Sequence, residues 1–277
     1  MILVGLPAVC TAEPAPPADP IGQAFNRLYN FDFRGAHAIL DRYTVAHPED
    51  PLGYSAGAAV DLFYELDRLS VLEAEFLADD DRITDKKRLK PDAQARARFY
   101  RSVETAQSKA QPILSRNPQD AGALYALCMS YGVTGDYTAL VERRQIQSLA
   151  IQKQSNSCAQ RLLAAHPDAY DAYVTTGFTE YLVGSLPFFV KWFVKFDNVK
   201  GSKEKAVEQL QLAARSGNYL RPFAKILLAI LYVREKKPEE CARMLESFAQ
   251  EYPENPLVRR ELAKLTLKNG QGPLGQK

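Results

Sequence analysis

Apolar residues recur at helical spacing along most of the chain, and one short phrase interrupts the stripes at four places. These are Ala46-His47-Pro48-Glu49, Arg116-Asn117-Pro118-Gln119, Ala165-His166-Pro167-Asp168 and Glu251-Tyr252-Pro253-Glu254. Proline cannot continue a helix but fits the first turn of the next, so each phrase closes one helix and opens another. The same offsets recur around each proline. Twelve residues before it stand Ala36, Ala106, Ser155 and Cys241, and eight before it stand Leu40, Ala110, Ala159 and Leu245. Ten residues after it stand Ala58, Cys128, Gly177 and Ala263, again small. Small residues at fixed places on successive helices let two backbones approach closely. The pattern predicts an all-α chain: an α-α superhelix of about five helical hairpins with insertions, and no strands. Ala58, Gly177 and Ala263 are predicted to be buried against neighbouring helices.

The first unit runs from Gly22 to His47, with a short helix near Ala24–Tyr29 and a second carrying Ala36, Ile39, Leu40 and Tyr43. The second opens at Leu52, and its pattern continues through Leu66, Leu69, Leu72 and Phe76. An acidic run, Asp79–Asp81, and a basic one, Lys86–Arg88, follow before Pro91 starts a helix that reaches Arg116. The acidic run lacks the glycine and ligand spacing of a calcium loop and reads as a solvated helix end. In the third unit Gly132, Gly135 and Asp136 read as the turn, with a second helix over Tyr137–Ala165. The fourth unit carries Tyr170, Tyr173, Gly177 and Tyr181, then an aromatic run, then a helix over Lys203–Ser216 capped by Ser202. The fifth has Ala224, Leu228, Ala229 and Tyr232, then Cys241, Leu245 and Phe248, and a lone helix over Glu254–Leu267 follows. The organisation is a signal-like segment and Pro/Ala-rich spacer at 1–20, a repeat domain at 21–269, and a disordered tail at 270–277.

Composition narrows the function. Hydrophobic residues make up 46% of the 277, ample for a core, while 35 Lys and Arg against 33 Asp and Glu leave a net charge of +2. That is no electrostatic footprint for nucleic acid. No stretch reaches the roughly 18 apolar residues of a membrane-spanning helix. Met1–Val9 is apolar and ends in Cys10-Thr11-Ala12, ahead of a Pro/Ala-rich stretch to Pro20. This resembles the tail of a secretory signal cleaved after Ala12, so the chain is expected to be exported, to a bacterial periplasm or envelope. A lipid anchor on Cys10 and a plain cytoplasmic N-terminus are the alternatives. Cys128, Cys158 and Cys241 are too few and too widely spaced for a disulfide framework and read as packing thiols.

Leu228, Ala229, Tyr232, Cys241, Leu245 and Pro253 stand in the order and spacing of a tetratricopeptide (TPR) repeat, and the chain resembles that superfamily in degenerate form. Arg259 and Leu124 stand where the family favours an aromatic, and the prolines are 70, 49 and 86 residues apart rather than multiples of about 34. The stretch Gly184–Leu212 also resembles the distinctive element of the Iml2-type tetratricopeptide family. The first resemblance implies a scaffold with protein partners; the second implies no enzymatic residues and hints at a lipid link.

Candidate chemistry is sparse. His47 and His166 share the pre-proline slot and read as helix C-caps, and His37 has no partner evident by sequence. No metal-binding, phosphate-cradling or nucleophile motif is present, so no catalytic residue, cofactor or metal is assigned and the chain reads as non-enzymatic. The concave lining expected to hold a protein or peptide is Tyr125, Met129, Val174, Phe178, Tyr181, Ile226 and Ile230. The alternative is a lipid- or membrane-associated module using Leu186–Phe196, where Phe188, Phe189, Trp192, Phe193 and Phe196 crowd nine residues. An exposed patch of that size is rare, so the run is expected to lie in the concavity, with Lys191 and Lys195 reaching outward. Trp192 is the sole tryptophan. Its fluorescence should be blue-shifted and resist iodide quenching in the purified chain; a red-shifted, freely quenched Trp192 that turns blue only with liposomes would assign the run to membrane instead.

Overall fold

A computed structural model describes residues 19–72, 90–185 and 199–270, with side chains as far as Lys264. Among these residues there are eleven α-helices and no strand. They are α1 (Pro20–Tyr29), α2 (Phe33–Ala46), α3 (Pro51–Arg68), α4 (Ala93–Arg116), α5 (Ala121–Asp136), α6 (Gln145–Ala165), α7 (Ala172–Ser185), α8 (Lys203–Ser216), α9 (Arg221–Arg234), α10 (Pro238–Glu251) and α11 (Pro256–Gly270). Successive helices pair as five hairpins, α1/α2 through α9/α10. The second helix of each hairpin packs on the first helix of the next, and α11 rests on α10. The expected solenoid of about five helical hairpins is therefore the observed architecture.

The four proline phrases build one turn four times. His47, Asn117, His166 and Tyr252 each end a helix, their backbone N–H donating to the carbonyl four residues earlier. Each carbonyl then accepts from the amide three residues on, at 3.0–3.1 Å. Asp50 and Asp120 at the end of the first two turns cap the following helix, accepting from Leu52 N and Ala123 N at 2.9 Å. The two histidines are thus C-cap residues, as their slot predicts.

The repeat offsets are packing positions. Ala36, Ala106, Ser155 and Cys241 are buried, as are Leu40, Ala110, Ala159 and Leu245. Ala58, Cys128 and Gly177 are buried too. Ala263 is not: it is exposed, because the offset faces the second helix of its own hairpin and α11 has no such partner among the described residues.

The turns within hairpins depart from expectation. Gly132, Gly135 and Asp136 do not form a turn; α5 runs through all three, and a π-helical stretch, Tyr137–Val141, extends it. Gly135 is a close-approach position instead, since a Cβ there would fall 2.7 Å from Gln152 Nε2 on α6. The chain reverses at Arg143, whose φ is +59°. Phe31, Ser70 and Lys236 hold the same left-handed conformation in hairpins one, two and five. In all four the following residue donates back to a carbonyl five or six residues earlier, as in Asp32 N to Arg27 O at 2.9 Å and Lys237 N to Tyr232 O at 2.8 Å. The same stop ends α3 at Arg68, where the apolar pattern predicts a continuation through Leu69 and Leu72; Phe76, the last residue of that pattern, lies outside the described residues.

Gly177 on α7 tests the register directly. A Cβ there would sit 3.0 Å from Leu210 Cγ and 3.2 Å from Ala206 O, both on α8. Gly177→Leu should destabilise the fold by about 1–3 kcal/mol through overpacking. Thermal melts of the two proteins check this, and an unchanged midpoint would place Gly177 outside the helix pair.

Candidate functional site

The inner face of the superhelix is built by the first helices of the hairpins, and the chain fills much of it itself. Ile21, Ala24, Phe25, Leu28 and Tyr29 of α1 are all buried, an apolar face far wider than a single neighbour would cover. Their further partners come from the far end of the chain. Phe25 stacks on Tyr219 with ring centroids 5.4 Å apart, and Tyr29 meets Phe63 and Phe248 edge-on at 6.1 and 6.3 Å. Phe63 on α3 meets Phe223 on α9 at 5.6 Å. Polar bonds complete this seam: Tyr29 Oη donates to Tyr219 O at 3.0 Å, and Asn255 Nδ2 donates to Tyr29 O at 2.7 Å. The superhelix thus closes on itself, its first two hairpins against its fifth.

The seven residues expected to line the concavity are distributed by this closure. Met129, Val174 and Tyr181 are buried, and Tyr125, Phe178, Ile226 and Ile230 are half-buried against the same core. Tyr125 is held by a polar staple, its hydroxyl donating to Asp171 Oδ2 at 2.8 Å. Ile226 and Ile230 line a cavity, a notch of about 50 Å³ at the seam. Phe31, Phe63, Leu72 and Leu257 form the rest of its main wall, with Asn255 and Glu261 as its polar members. The aromatic run Leu186–Phe196 lies outside the described residues, and so do the acidic and basic runs at 79–81 and 86–88.

Buried titratable groups are the other place to look for chemistry, and sequence reasoning missed most of them. Asp61 on α3 is fully buried; its Oδ1 accepts from Arg98 Nε at 2.7 Å and lies 3.0 Å from His37 Nε2. His37 therefore has the partner that its sequence surroundings did not disclose. Glu65, also fully buried, accepts from Arg68 Nε at 3.0 Å and from the Asp92 amide at 3.2 Å. Glu180 accepts from the amides of Gly201 and Ser202 at 3.0 and 3.2 Å and from Lys205 Nζ at 2.6 Å. The last two carboxylates do one job: each sits on the first helix of a hairpin with a long insertion and holds the returning chain at the start of the second. An acidic residue near the end of a helix that precedes an insertion was the available signal. Asp171 is held above the usual carboxylate range by burial, against bonds from Tyr125 and the amides of Asn218 and Tyr219. Cys128, Cys158 and Cys241 are free and buried, and burial pushes the Cys128 and Cys241 thiols up to about 11, a setting for packing rather than nucleophilic attack. Among the described residues no three His, Cys, Asp or Glu side chains gather as a metal ion would require. No described helix is long and apolar enough to cross a membrane.

No protein-family model matches the chain, and no curated protein does. Among solved structures it is similar to the crystal structure of TTC0263, a thermophilic TPR protein in Thermus thermophilus, at 15% identity and a TM-score of 0.49. The likeness covers 90% of this chain and 97% of that one.

One half-buried acid gives a direct test of the third hairpin. Asp136 ends α5, and burial raises its carboxyl from the ordinary 3.8 to about 7, against an opposing bond from Gln152 Nε2 at 2.8 Å. The folded state then holds this proton through a range in which the unfolded chain has lost it. Stability at this site should fall as pH rises through that window. Asp136→Asn removes the proton, so its melting temperature should gain on the parent's steadily from about pH 4 to about pH 7. A difference that stays constant with pH would mean that Asp136 is solvated.

Proposed function

We propose that the chain is a non-enzymatic helical scaffold that binds a protein or peptide through its inner face, at the part around Ile226 and Ile230 that α1 leaves open. The supporting observation is the notch at the seam, an apolar concavity beside a core into which much of the inner face packs. Stacked hairpins suit this role because their packing fixes the inner face rigidly and presents side chains from several helices at once. Asp61, Glu65 and Glu180 offer no competing reading, since each is tied into a structural ion pair or amide contact. The signal-like stretch Met1–Ala12 adds the proposal that the scaffold works outside the bacterial inner membrane.

The test is a selection of displayed peptides against the purified full chain, followed by affinity measurement on the Ile230→Glu variant. Ile230 is half-buried, so a carboxylate there reaches the notch without entering the core. Selected peptides should bind the parent saturably and the variant roughly tenfold or more weakly, with the two proteins melting alike. Peptides that bind both equally would move the binding surface away from the inner face, and a selection that yields no saturable binder would remove the scaffold reading.

A further inference from the structure

We propose that the seam notch receives one aliphatic side chain of a peptide that carries a basic residue beside it, with Glu261 of α11 pairing with that base. The proposal rests on the reading above that the partner is a protein or peptide. Five segments meet at the notch: the α1–α2 turn at Phe31, the end of α3 with Leu72, and helices α9, α10 and α11. Size selects the anchor. A dry cavity of about 150 Å³ binds benzene, whereas this notch offers about 50 Å³, which suits the end of a leucine, isoleucine or valine better than a ring. The same limit disfavours a fatty acyl chain, whose length would leave most of its carbons outside.

Charge selects the neighbour. Of the two polar side chains on the wall, Asn255 is committed to the seam: its Nδ2 donates to Tyr29 O, and its Oδ1 accepts from Leu257 N and Val258 N at 3.0 and 3.1 Å. It carries no charge to select a ligand's. Glu261 is different. Its side chain is only 8% exposed, and one carboxylate oxygen accepts from Lys264 Nζ at 3.0 Å, from a turn further along the same helix. A carboxylate set in an apolar wall with little water gains from a second cation at the notch mouth, where a charge-assisted bond is stronger than in bulk water. An acidic ligand would meet repulsion at the same place.

The experiment is a titration of the full chain, with isoleucine, leucine and valine methyl groups labelled, followed by nuclear magnetic resonance. Three probes are blocked pentapeptides: Gly-Lys-Leu-Lys-Gly, its alanine counterpart Gly-Lys-Ala-Lys-Gly, and its neutral counterpart Gly-Gln-Leu-Gln-Gly. Octanoate is the fourth. The lysine–leucine peptide should shift the Ile226, Ile230 and Leu257 methyls saturably, and the alanine peptide should bind roughly tenfold more weakly. Glu261→Gln should weaken the lysine–leucine peptide several-fold and leave the neutral peptide unchanged. Ala229→Leu, which fills the notch, should abolish the shifts from every peptide. The proposal is overturned if those methyls do not respond to the lysine–leucine peptide, or if octanoate saturates them in its place. Equal binding by Glu261→Gln and the parent overturns the charged half, and shifts that track protein concentration alone would mark the notch as a contact between two copies. If peptides selected on the full chain are lost in Ile230→Glu yet are not displaced by the pentapeptide, the scaffold reading stands and this proposal falls.

Discussion

Everything in this molecule depends on how closely two antiparallel helices can lie. The positions that decide it are few: one small residue twelve before each turn proline and one ten after. At Gly177 the α8 backbone carbonyl of Ala206 would be 3.2 Å from an added Cβ, so the limit there is the backbone itself, which cannot rotate aside. Once these contacts are set, the larger side chains at the intervening positions have defined holes to fill. The hairpins then stack in chain order, and the proline turns repeat the same hydrogen bonds four times. Caps and turns adjust the ends of the helices, but the close approach fixes where the helices are.

A solenoid ordinarily gains stability only between neighbouring repeats. This one has an additional long-range term, because Tyr29 and Asn255 are 226 residues apart in sequence and share a hydrogen bond. The aromatic seam of Phe25, Tyr29, Phe63, Tyr219, Phe223 and Phe248 joins the first two hairpins to the fifth. Removing either end of the chain therefore exposes apolar surface at the other end, and the repeat array is expected to melt as one unit rather than fray from its termini. Closure also explains the breadth of the buried face on α1. In an open array the first helix of the first hairpin would be solvated on one side, and Phe25 would not sit there.

The hairpins and their order were legible in the sequence because they rest on spacing, and spacing survives in a degenerate repeat. The turns inside the hairpins were not, for a specific reason. Glycine is the usual residue where a helix ends in the left-handed conformation, and Gly132 and Gly135 invited that reading. Here Phe31, Ser70, Arg143 and Lys236 adopt it instead, each at a cost of about 1–2 kcal/mol that packing offsets. The glycines serve close approach, as Gly135 does against Gln152. The overrun predicted beyond Leu66 fails the same way, since nothing in the residue types marks Ser70 as a stop. Ala263 shows the limit of repeat logic, because the offset survives where no partner helix stands among the described residues. Of the candidate site, Ile226 and Ile230 were legible as inner-face residues, but their notch was not. It is made by Phe31, Leu72 and Leu257, which come together only because the array closes.

Closure narrows what a partner can find. In an open superhelix the inner face is a long groove, and a partner gains affinity by burying apolar area along it. Here the part of that face at the seam is already buried against α1, at no cost in association entropy, since both sides belong to one chain. A partner competing for the whole groove would have to expose Ile21, Phe25, Leu28 and Tyr29 to water, and each such side chain is worth about 1.5–3 kcal/mol of burial. A short anchor at the seam costs none of this. On the scaffold reading proposed above, the closed fold would favour recognition by one side chain at the notch over recognition along the groove, and the charge of the residues around that anchor would then decide specificity.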